Sequence, residues 1–329
     1  MSRIMLLLGC AVVPCLMSCS ETTPSAPTVN RSNVTTEVSA AEESPSVGMF
    51  YMRERATGGA ATLGAMNREL RMAGLPISIA KVEFLVKPGF ETQGRTLYAS
   101  DRERKLGSRW VPNDARRQAD GDNLTYMVVK SGCQFQGLSS DGVESAIEDA
   151  VTSWQSSMRC GSVRLEKRVD QGQDPTIADY FLGLGGRGQP FLADIVDAGF
   201  ESGDMFEQLA PNGRLYILGV TFTFIFMDED GRATDVDQNG LFDTAVTEIY
   251  LNQEFWWSCD GTGGYDIKTA AMHENGHALG LAHFGNIFRN RSGIHASPRA
   301  VMNAAYIGPL SAPQGTDRSA FCGLYANWP

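Results

Sequence analysis

Histidine is scarce in this chain, yet most of it falls in one short segment. Of the four histidines among 329 residues, His273, His277 and His283 lie within eleven consecutive positions. Residues four apart on an α-helix return to nearly the same face, so His273 and His277 would direct their imidazoles to one point. Imidazole nitrogens are common ligands of Zn²⁺. The spacing therefore predicts a metal site on a helix.

Two further residues of this segment indicate a reactive metal site. Glu274 follows the first histidine and would stand beside the ion, where a general base can take a proton from a zinc-bound water. Gly280 can adopt a positive φ, end the helix and return the chain so that His283 becomes the third ligand. Three protein ligands leave one coordination position open, as in catalytic zinc sites. The short pattern His-Glu-x-x-His arises by chance in many proteins, but the added glycine and third histidine make coincidence a poor explanation here.

The extended pattern from His273 to His283 resembles that of the metzincin zinc peptidases. Metzincins carry a methionine in a tight turn beneath the zinc, and Met302 matches it, with Tyr306 at the spacing found in the matrixin branch. The resemblance implies that Met302 packs under the site without binding the metal. For Tyr306 it implies either a hydrogen bond to the developing oxyanion or a place in the pocket for the residue after the cut.

The resemblance covers about residues 105–329 and implies an α+β, zincin-like catalytic domain. Such a domain has a mixed twisted sheet, a long first helix, a zinc-binding active-site helix, a methionine turn and a C-terminal helix. Animal matrixins hold a second, structural zinc on upstream histidines, but no histidine precedes His273, so one zinc is expected. Residues 20–132 also lack the cysteine that keeps those enzymes latent.

Hydrophobic periodicity predicts the elements that position these residues. Helices are expected over Ala60–Met72, over Asp141–Met158 and from an Asp266 cap to about Leu279, and the resemblance implies a closing helix over Thr316–Tyr325. Strands are expected over Ile77–Val86, Leu124–Val129, Tyr216–Met227 and Thr247–Asn252. The alternation in Tyr216–Met227 predicts a strand with one buried face. We expect an extended substrate to pair with the edge strand formed by Arg214–Phe226.

A loop rich in carboxylates separates the last two of these strands. Between Asp228 and Glu248 the chain has seven carboxylates and one basic residue. Oxygen-bearing side chains alternate near a glycine, as calcium loops require, at Asp235, Asp237, Asn239 and Asp243. The glutamate expected at the twelfth position of such a loop is a valine here. Calcium binding and a solvated surface loop remain alternatives.

The N-terminus has the composition of an export signal. Residues 1–19 combine Arg3 with an apolar run and small residues, which is typical of a signal peptide. The run ending at Cys19 resembles a bacterial lipobox, so either lipidation of Cys19 or simple cleavage is expected. Residues 20–47 are rich in Ser, Thr, Pro and Glu and predict a disordered tether. Residues 48–104 are an N-terminal segment, either a removable prosegment, which we favour, or a permanent part of the fold.

Cysteine usage agrees with export. Three of the seven cysteines lie in the signal, which leaves Cys133, Cys160, Cys259 and Cys322. Exported proteins meet oxidising surroundings, so two disulfides are expected. We predict Cys133–Cys160 around the first long helix and Cys259–Cys322 at the C-terminus, with buried free thiols as the alternative.

These features together predict a zinc-dependent endopeptidase acting on a protein or peptide substrate. It would be exported to the bacterial cell envelope as an outer-membrane lipoprotein, or secreted, and would contact a membrane only through a lipid at Cys19. The net charge of −10 argues against a nucleic-acid partner. The alternative is a surface-anchored zinc-binding protein or adhesin whose metal site is not catalytic.

Overall fold

An eight-stranded mixed sheet runs through the computed structural model, which describes residues 58–117, 121–135, 137–188 and 192–329. The strands are β1 (Ile77–Val86), β2 (Thr96–Tyr98), β3 (Ser108–Arg109), β4 (Leu124–Val128), β5 (Leu165–Lys167), β6 (Ile195–Glu201), β7 (Ile217–Phe226) and β8 (Phe242–Asn252). Their order is β2-β1-β7-β8-β6-β4-β5, and β3 also pairs with β8. Pairing is antiparallel from β2 to β8 and parallel from β8 to β5.

Helices surround this sheet, so the predicted α+β class is confirmed. They are α1 (Gly59–Met72), α2 (Asp101–Leu106), α3 (Ser140–Ser157), α4 (Ile177–Leu182), α5 (Gly203–Leu209), α6 (Ile267–Ala278) and α7 (Gly315–Tyr325). Two small pairs complete the strands: β9 (Trp257–Ser258) with β10 (Tyr265–Asp266), and β11 (Asn286–Asn290) with β12 (Gly293–Ser297). The predicted helices and strands agree with these bounds to about one residue, except that β8 begins at Phe242 instead of Thr247.

Both faces of the sheet are covered, so alternate side chains enter two separate cores. One core packs the sheet against α3, α6 and α7, and the other packs it against α1, α4 and α5. Every residue of Ile217–Phe226 is buried. The prediction that this strand buries only one face is therefore wrong, because both of its faces lie under helices.

The N-terminal part of the described chain is built into the same sheet. Strand β1 pairs antiparallel with β7 along its length, and β2 pairs with the outer side of β1. The prediction that Arg214–Phe226 is an edge strand is wrong, since β7 has a neighbour on each side. The physical reason is that Ile77–Val86 is buried along its whole length and satisfies backbone groups that an edge would leave exposed.

The disulfide joins different cysteines from those predicted. Cys160 pairs with Cys322, and their Cα atoms lie 5.5 Å apart. The chain after α3 lies so close to the end of α7 that a Cβ on Gly161 would be 2.1 Å from the Tyr325 carbonyl oxygen. Cys133 lies instead in a buried turn, where burial raises the pKa of its thiol to about 12. The predicted pairs Cys133–Cys160 and Cys259–Cys322 are thus both wrong, because the packing of α7 on α3 was not visible in the sequence.

The export features lie outside the described residues. These are the predicted signal of residues 1–19 with Cys19, the tether of residues 20–47, and residues 48–57. In the four ranges that the structure describes, no helix is both long enough and apolar enough to cross a membrane.

Replacing Cys160 and Cys322 together by serine should lower the free energy of unfolding by about 2–5 kcal/mol, because this cross-link restricts the unfolded chain. Urea denaturation measures the change, and peptide mapping without reductant should recover the Cys160–Cys322 peptide. A loss of the same size on Cys259→Ser would contradict this pairing.

Candidate metal centre

Helix α6 begins at a side-chain cap that the sequence identified. The Asp266 carboxylate accepts a hydrogen bond of 2.9 Å from the Thr269 N–H, which satisfies a helix donor that has no partner within the helix. The following helical residues are almost all buried, because α6 packs between the sheet and α3. The first two histidines are therefore held on a rigid, enclosed element.

The end of α6 returns the chain toward the same site. Gly280 has φ of +84°, which a glycine adopts without strain. Its N–H donates to the His277 carbonyl oxygen at 2.8 Å, and the Leu281 N–H donates to that of Gly276 at 3.0 Å, a Schellman arrangement. The predicted helix end at Gly280 is confirmed, and His283 reaches the other two histidines.

The three imidazoles meet at their Nε2 atoms. The distance is 3.0 Å from His273 to His277, 3.1 Å from His273 to His283, and 3.0 Å from His277 to His283. Zn²⁺ binds imidazole nitrogens at roughly 2.0–2.1 Å, so His273, His277 and His283 could hold one such ion together. The separation of the three nitrogens thus fits a single Zn²⁺.

Hydrogen bonds at Nδ1 set the orientation of two rings. His273 Nδ1 lies 2.6 Å from the Val301 carbonyl oxygen, and His277 Nδ1 lies 2.8 Å from that of Leu281. Carbonyl oxygens only accept, so both Nδ1 atoms carry the proton and both Nε2 atoms carry a lone pair. Burial lowers the pKa of His273 to about 4 and those of His277 and His283 well below the ordinary value. The three neutral Nε2 atoms therefore direct their lone pairs to one point, where they could bind a cation.

Met302 packs beneath the centre, as the resemblance implied. It is fully buried in a turn, and its Sδ would lie 2.2 Å from a Cβ added to Gly276 on α6. The same turn carries Val301, whose carbonyl orients His273. Asp317 of α7 holds this turn, because its carboxylate accepts the backbone N–H groups of Val301 and Met302 at 2.9 and 3.1 Å. Sequence reasoning missed Asp317, whose only signal was a carboxylate in the first turn of a helix.

Glu274 lies fully buried against strand β7. Its Oε2 accepts a 2.7 Å hydrogen bond from the Thr221 hydroxyl, while its Oε1 has no hydrogen-bond partner of ordinary geometry among the described residues. A Cβ on Gly219 would lie 2.7 Å from Oε1, so this glycine leaves room for the carboxylate. Burial raises the pKa of Glu274 well above its ordinary value, against the lowering effect of Thr221. The raised pKa suits a group that must accept and return a proton.

Strand β1 covers the centre with charged side chains that sequence reasoning did not select. Lys81 Nζ lies 2.6 Å from Glu83 Oε2, and that oxygen lies 3.3 Å from His277 Nδ1. Both side chains are buried. The sequence signal for this pair was two charged residues inside a mostly apolar strand, because Lys and Glu are rarely buried unless they are paired.

Tyr306 forms part of a pocket wall beside the centre. Its hydroxyl oxygen accepts a 3.1 Å hydrogen bond from the Asp266 N–H at the start of α6, and its ring packs edge-on against Tyr265. Burial raises the Tyr306 pKa to about 12. The pocket role implied by the resemblance agrees with this position; the oxyanion role stays a prediction.

The acidic loop brings its four predicted residues together. Ligand oxygens of Asp235, Asp237 and Asp243 lie within 4.8 Å of one another. The Asn239 amide donates to Asp237 at 2.8 Å, while its side-chain oxygen accepts the Leu241 N–H at 2.7 Å. Arginines already neutralise part of the loop, because Arg116 lies 2.7 Å from Asp243 and Arg109 lies 3.1 Å from Asp237. This donor set is poorer than calcium requires, and calcium binding stays a prediction.

A buried carboxylate behind α6 was also missed. Asp197 on β6 accepts a 3.1 Å hydrogen bond from the Asn275 amide, and burial raises its pKa to about 7. Because Asn275 lies between two of the histidines, this contact fixes the helix against the sheet.

No model of a known protein family matches this chain, and no curated protein is detectably similar to it in sequence. The site must therefore be interpreted from its own residues and from the motif that they form.

Gly276→Ala should lower the free energy of unfolding by roughly 1–3 kcal/mol, because the new methyl group would overlap Met302. Urea denaturation in the presence of chelator measures this without a metal contribution. The matched control is Gly64→Ala on α1, where the nearest atom to an added Cβ is 3.8 Å away. That change should stabilise by about 0.5–1 kcal/mol, and equal losses at both glycines would contradict the packing described.

Asp197→Asn should stabilise the protein more at pH 8 than at pH 5, by roughly 2–3 kcal/mol. The raised folded-state pKa means that the native protein keeps this proton when the unfolded chain has lost it, so the contribution of Asp197 to stability falls as pH rises from about 4 through about 7. Denaturation at several pH values measures the difference. Asp149→Asn, on the exposed side of α3, is the control for the removal of one carboxylate charge.

Proposed function

We propose that this protein is a zinc-dependent endopeptidase of the metzincin type. The observation that carries the proposal is the convergence of three neutral imidazole Nε2 atoms at 3.0–3.1 Å, with the buried carboxylate of Glu274 next in sequence to His273. The methionine turn beneath the helix and the mixed sheet above it also agree with the matrixin-like domain that the motif implies. Export, by either route predicted from residues 1–19, belongs to the same proposal.

His273, His277 and His283 would hold the zinc ion. When bound there, zinc would act as a Lewis acid toward the scissile carbonyl and toward water. The Nδ1 hydrogen bonds to Val301 and Leu281 keep two of the rings in the tautomer that binds metal. The chain's own contribution is thus a rigid set of donors that need no rearrangement.

Glu274 would act as the general base and then as the general acid. Its Oε1, which accepts no hydrogen bond of ordinary geometry, would take a proton from the attacking water, while Thr221 holds Oε2 in place. The enclosed surroundings favour the protonated carboxyl, so the proton can be passed on to the leaving amine nitrogen. Hydrolysis then leaves a carboxylate on one product and an amine on the other.

A specific observation also favours the alternative of a non-catalytic zinc protein. Strand β1 lies over the centre, with Glu83 3.3 Å from His277, and Glu274 is fully buried. In a surface-anchored binding protein or adhesin this cover would be permanent. A carboxylate next in sequence to His273, with one oxygen that accepts no hydrogen bond of ordinary geometry, has no use in such a protein, and we therefore favour the peptidase.

Glu274→Gln should reduce casein or gelatin cleavage by about 100–10,000-fold while one zinc per chain is retained, because only the proton-transfer group is changed. Atomic absorption measures the metal, and a digest of a peptide library measures turnover. Glu229→Gln, in an exposed loop, is the matched control and should behave as the wild type.

Chelation separates the two functions. A peptidase should lose turnover when zinc is removed and regain it when zinc is restored, whereas an adhesin would keep its binding. Full activity of Glu274→Gln, or a folded protein that takes up no zinc, would contradict the peptidase proposal.

A further inference from the structure

Strand β1 crosses the metal centre between Glu83 and Leu85. Glu83 Oε2 lies 3.3 Å from His277 Nδ1, and the Leu85 side chain enters a pocket that His273 also lines. Leu85 lies opposite Gly219 of β7, where an added Cβ would be 2.7 Å from Glu274 Oε1, so the backbone at Leu85 passes close to that carboxylate. The peptide bond between Phe84 and Leu85 therefore lies at the place where the proposed base would act.

The backbone of β1 is held from both sides as it passes the centre. On one side it pairs antiparallel with β7, with Glu83 opposite Thr221 and Leu85 opposite Gly219. On the other side, the Val86 N–H donates to the Ala304 carbonyl at 3.2 Å, and the Tyr306 N–H donates to the Val86 carbonyl at 2.9 Å. Backbone pairing of this kind binds an extended peptide whatever its sequence, while pockets receive alternate side chains.

Leu85 is buried and forms one wall of a small cavity of about 10 Å³, whose other walls include Thr269, Val301, Ala305 and Tyr306. Its neighbours Phe84 and Val86 point to the opposite face and pack in the other core. The alternation thus directs one side chain, and not its neighbours, into the pocket next to His273.

A larger cavity continues in the direction in which β1 leaves the centre. It has a volume of about 580 Å³ and is lined by Pro88, Phe255, Trp256, Tyr306, Ile307 and Gly308. Tyr306, Ile307 and Gly308 line both this cavity and the Leu85 pocket. A peptide longer than β1 would follow the same path past the centre.

We propose that Ile77–Val86 occupies the peptide-binding groove of this enzyme in the orientation of a substrate, and that the Phe84–Leu85 bond is its own first cleavage site. This inference rests on the proposed peptidase function. Water would add across the Phe84–Leu85 amide, with the hydroxyl joining the Phe84 carbonyl carbon and a proton joining the Leu85 nitrogen. Until the strand is cut or displaced, it excludes other peptides from the groove.

N-terminal sequencing and intact mass of the freshly zinc-loaded full chain test the cleavage. Wild type should accumulate a fragment that begins at Leu85, and Glu274→Gln should not. If casein is cleaved while the Phe84–Leu85 bond stays intact, the self-cleavage inference fails and the peptidase proposal stands. If neither casein nor this bond is cleaved by zinc-loaded protein, the peptidase proposal itself fails.

A binding measurement tests the groove without turnover. The probe is a fluorescent peptide with the sequence of residues 80–88, added to Glu274→Gln protein. The Leu85→Ala change is then introduced into the Glu274→Gln protein. It should tighten binding of the fluorescent peptide by about tenfold or more, because β1 loses side-chain contacts that hold it in the groove.

Ile79→Ala is the matched control, since it removes the same number of carbons from β1 but from the opposite core. It should not tighten peptide binding, and thermal denaturation verifies that both variants fold. Equal binding by the Leu85 and Ile79 variants would overturn the assignment of this groove to β1.

Discussion

The architecture depends on holding three unprotonated imidazole nitrogens within 3.0–3.1 Å of one another. Neutral lone pairs do not attract, so the surrounding structure must impose this convergence. Helix α6 supplies two rings, the turn at Gly280 returns the third, and the Val301 carbonyl orients the first. Asp317 fastens the Val301 turn to α7, and the Cys160–Cys322 bridge fastens α7 to the end of α3. Much of the C-terminal half thus serves to position one small group of atoms.

The sheet places a second demand on the same region. If β7 were an open edge, a peptide could pair with it next to the centre. An open edge, however, exposes unpaired backbone groups that can also pair with other chains. Strand β1 satisfies those groups and adds apolar burial on both faces. Stability and access to the centre therefore oppose each other, and in our proposal one cleavage within β1 resolves that opposition. The hydrogen bonds that complete the fold are of the same kind as those that would hold a peptide.

Where sequence reasoning succeeded, the governing interactions are local. The Asp266 cap and the Gly280 turn each involve residues no more than five apart, so periodicity and residue type suffice to predict them. Where it failed, the partners are distant in sequence. Cys160 and Cys322 are 162 residues apart, and β1 meets β7 across more than a hundred residues. Lys81 and Glu83 were overlooked because the sequence around them does not show which distant residues they will contact in the folded protein.

Residue type and spacing alone determined the nature of the centre: imidazoles on one helical face, a carboxylate beside them and a glycine where the chain must reverse. These properties follow from the geometry of one helix and its end, which the local sequence encodes. Only the tertiary structure decided that β1 lies across that centre, that Leu85 lines the neighbouring pocket and that α7 is bridged to α3. Those outcomes depend on which buried surfaces meet, and no short stretch of the chain contains both partners.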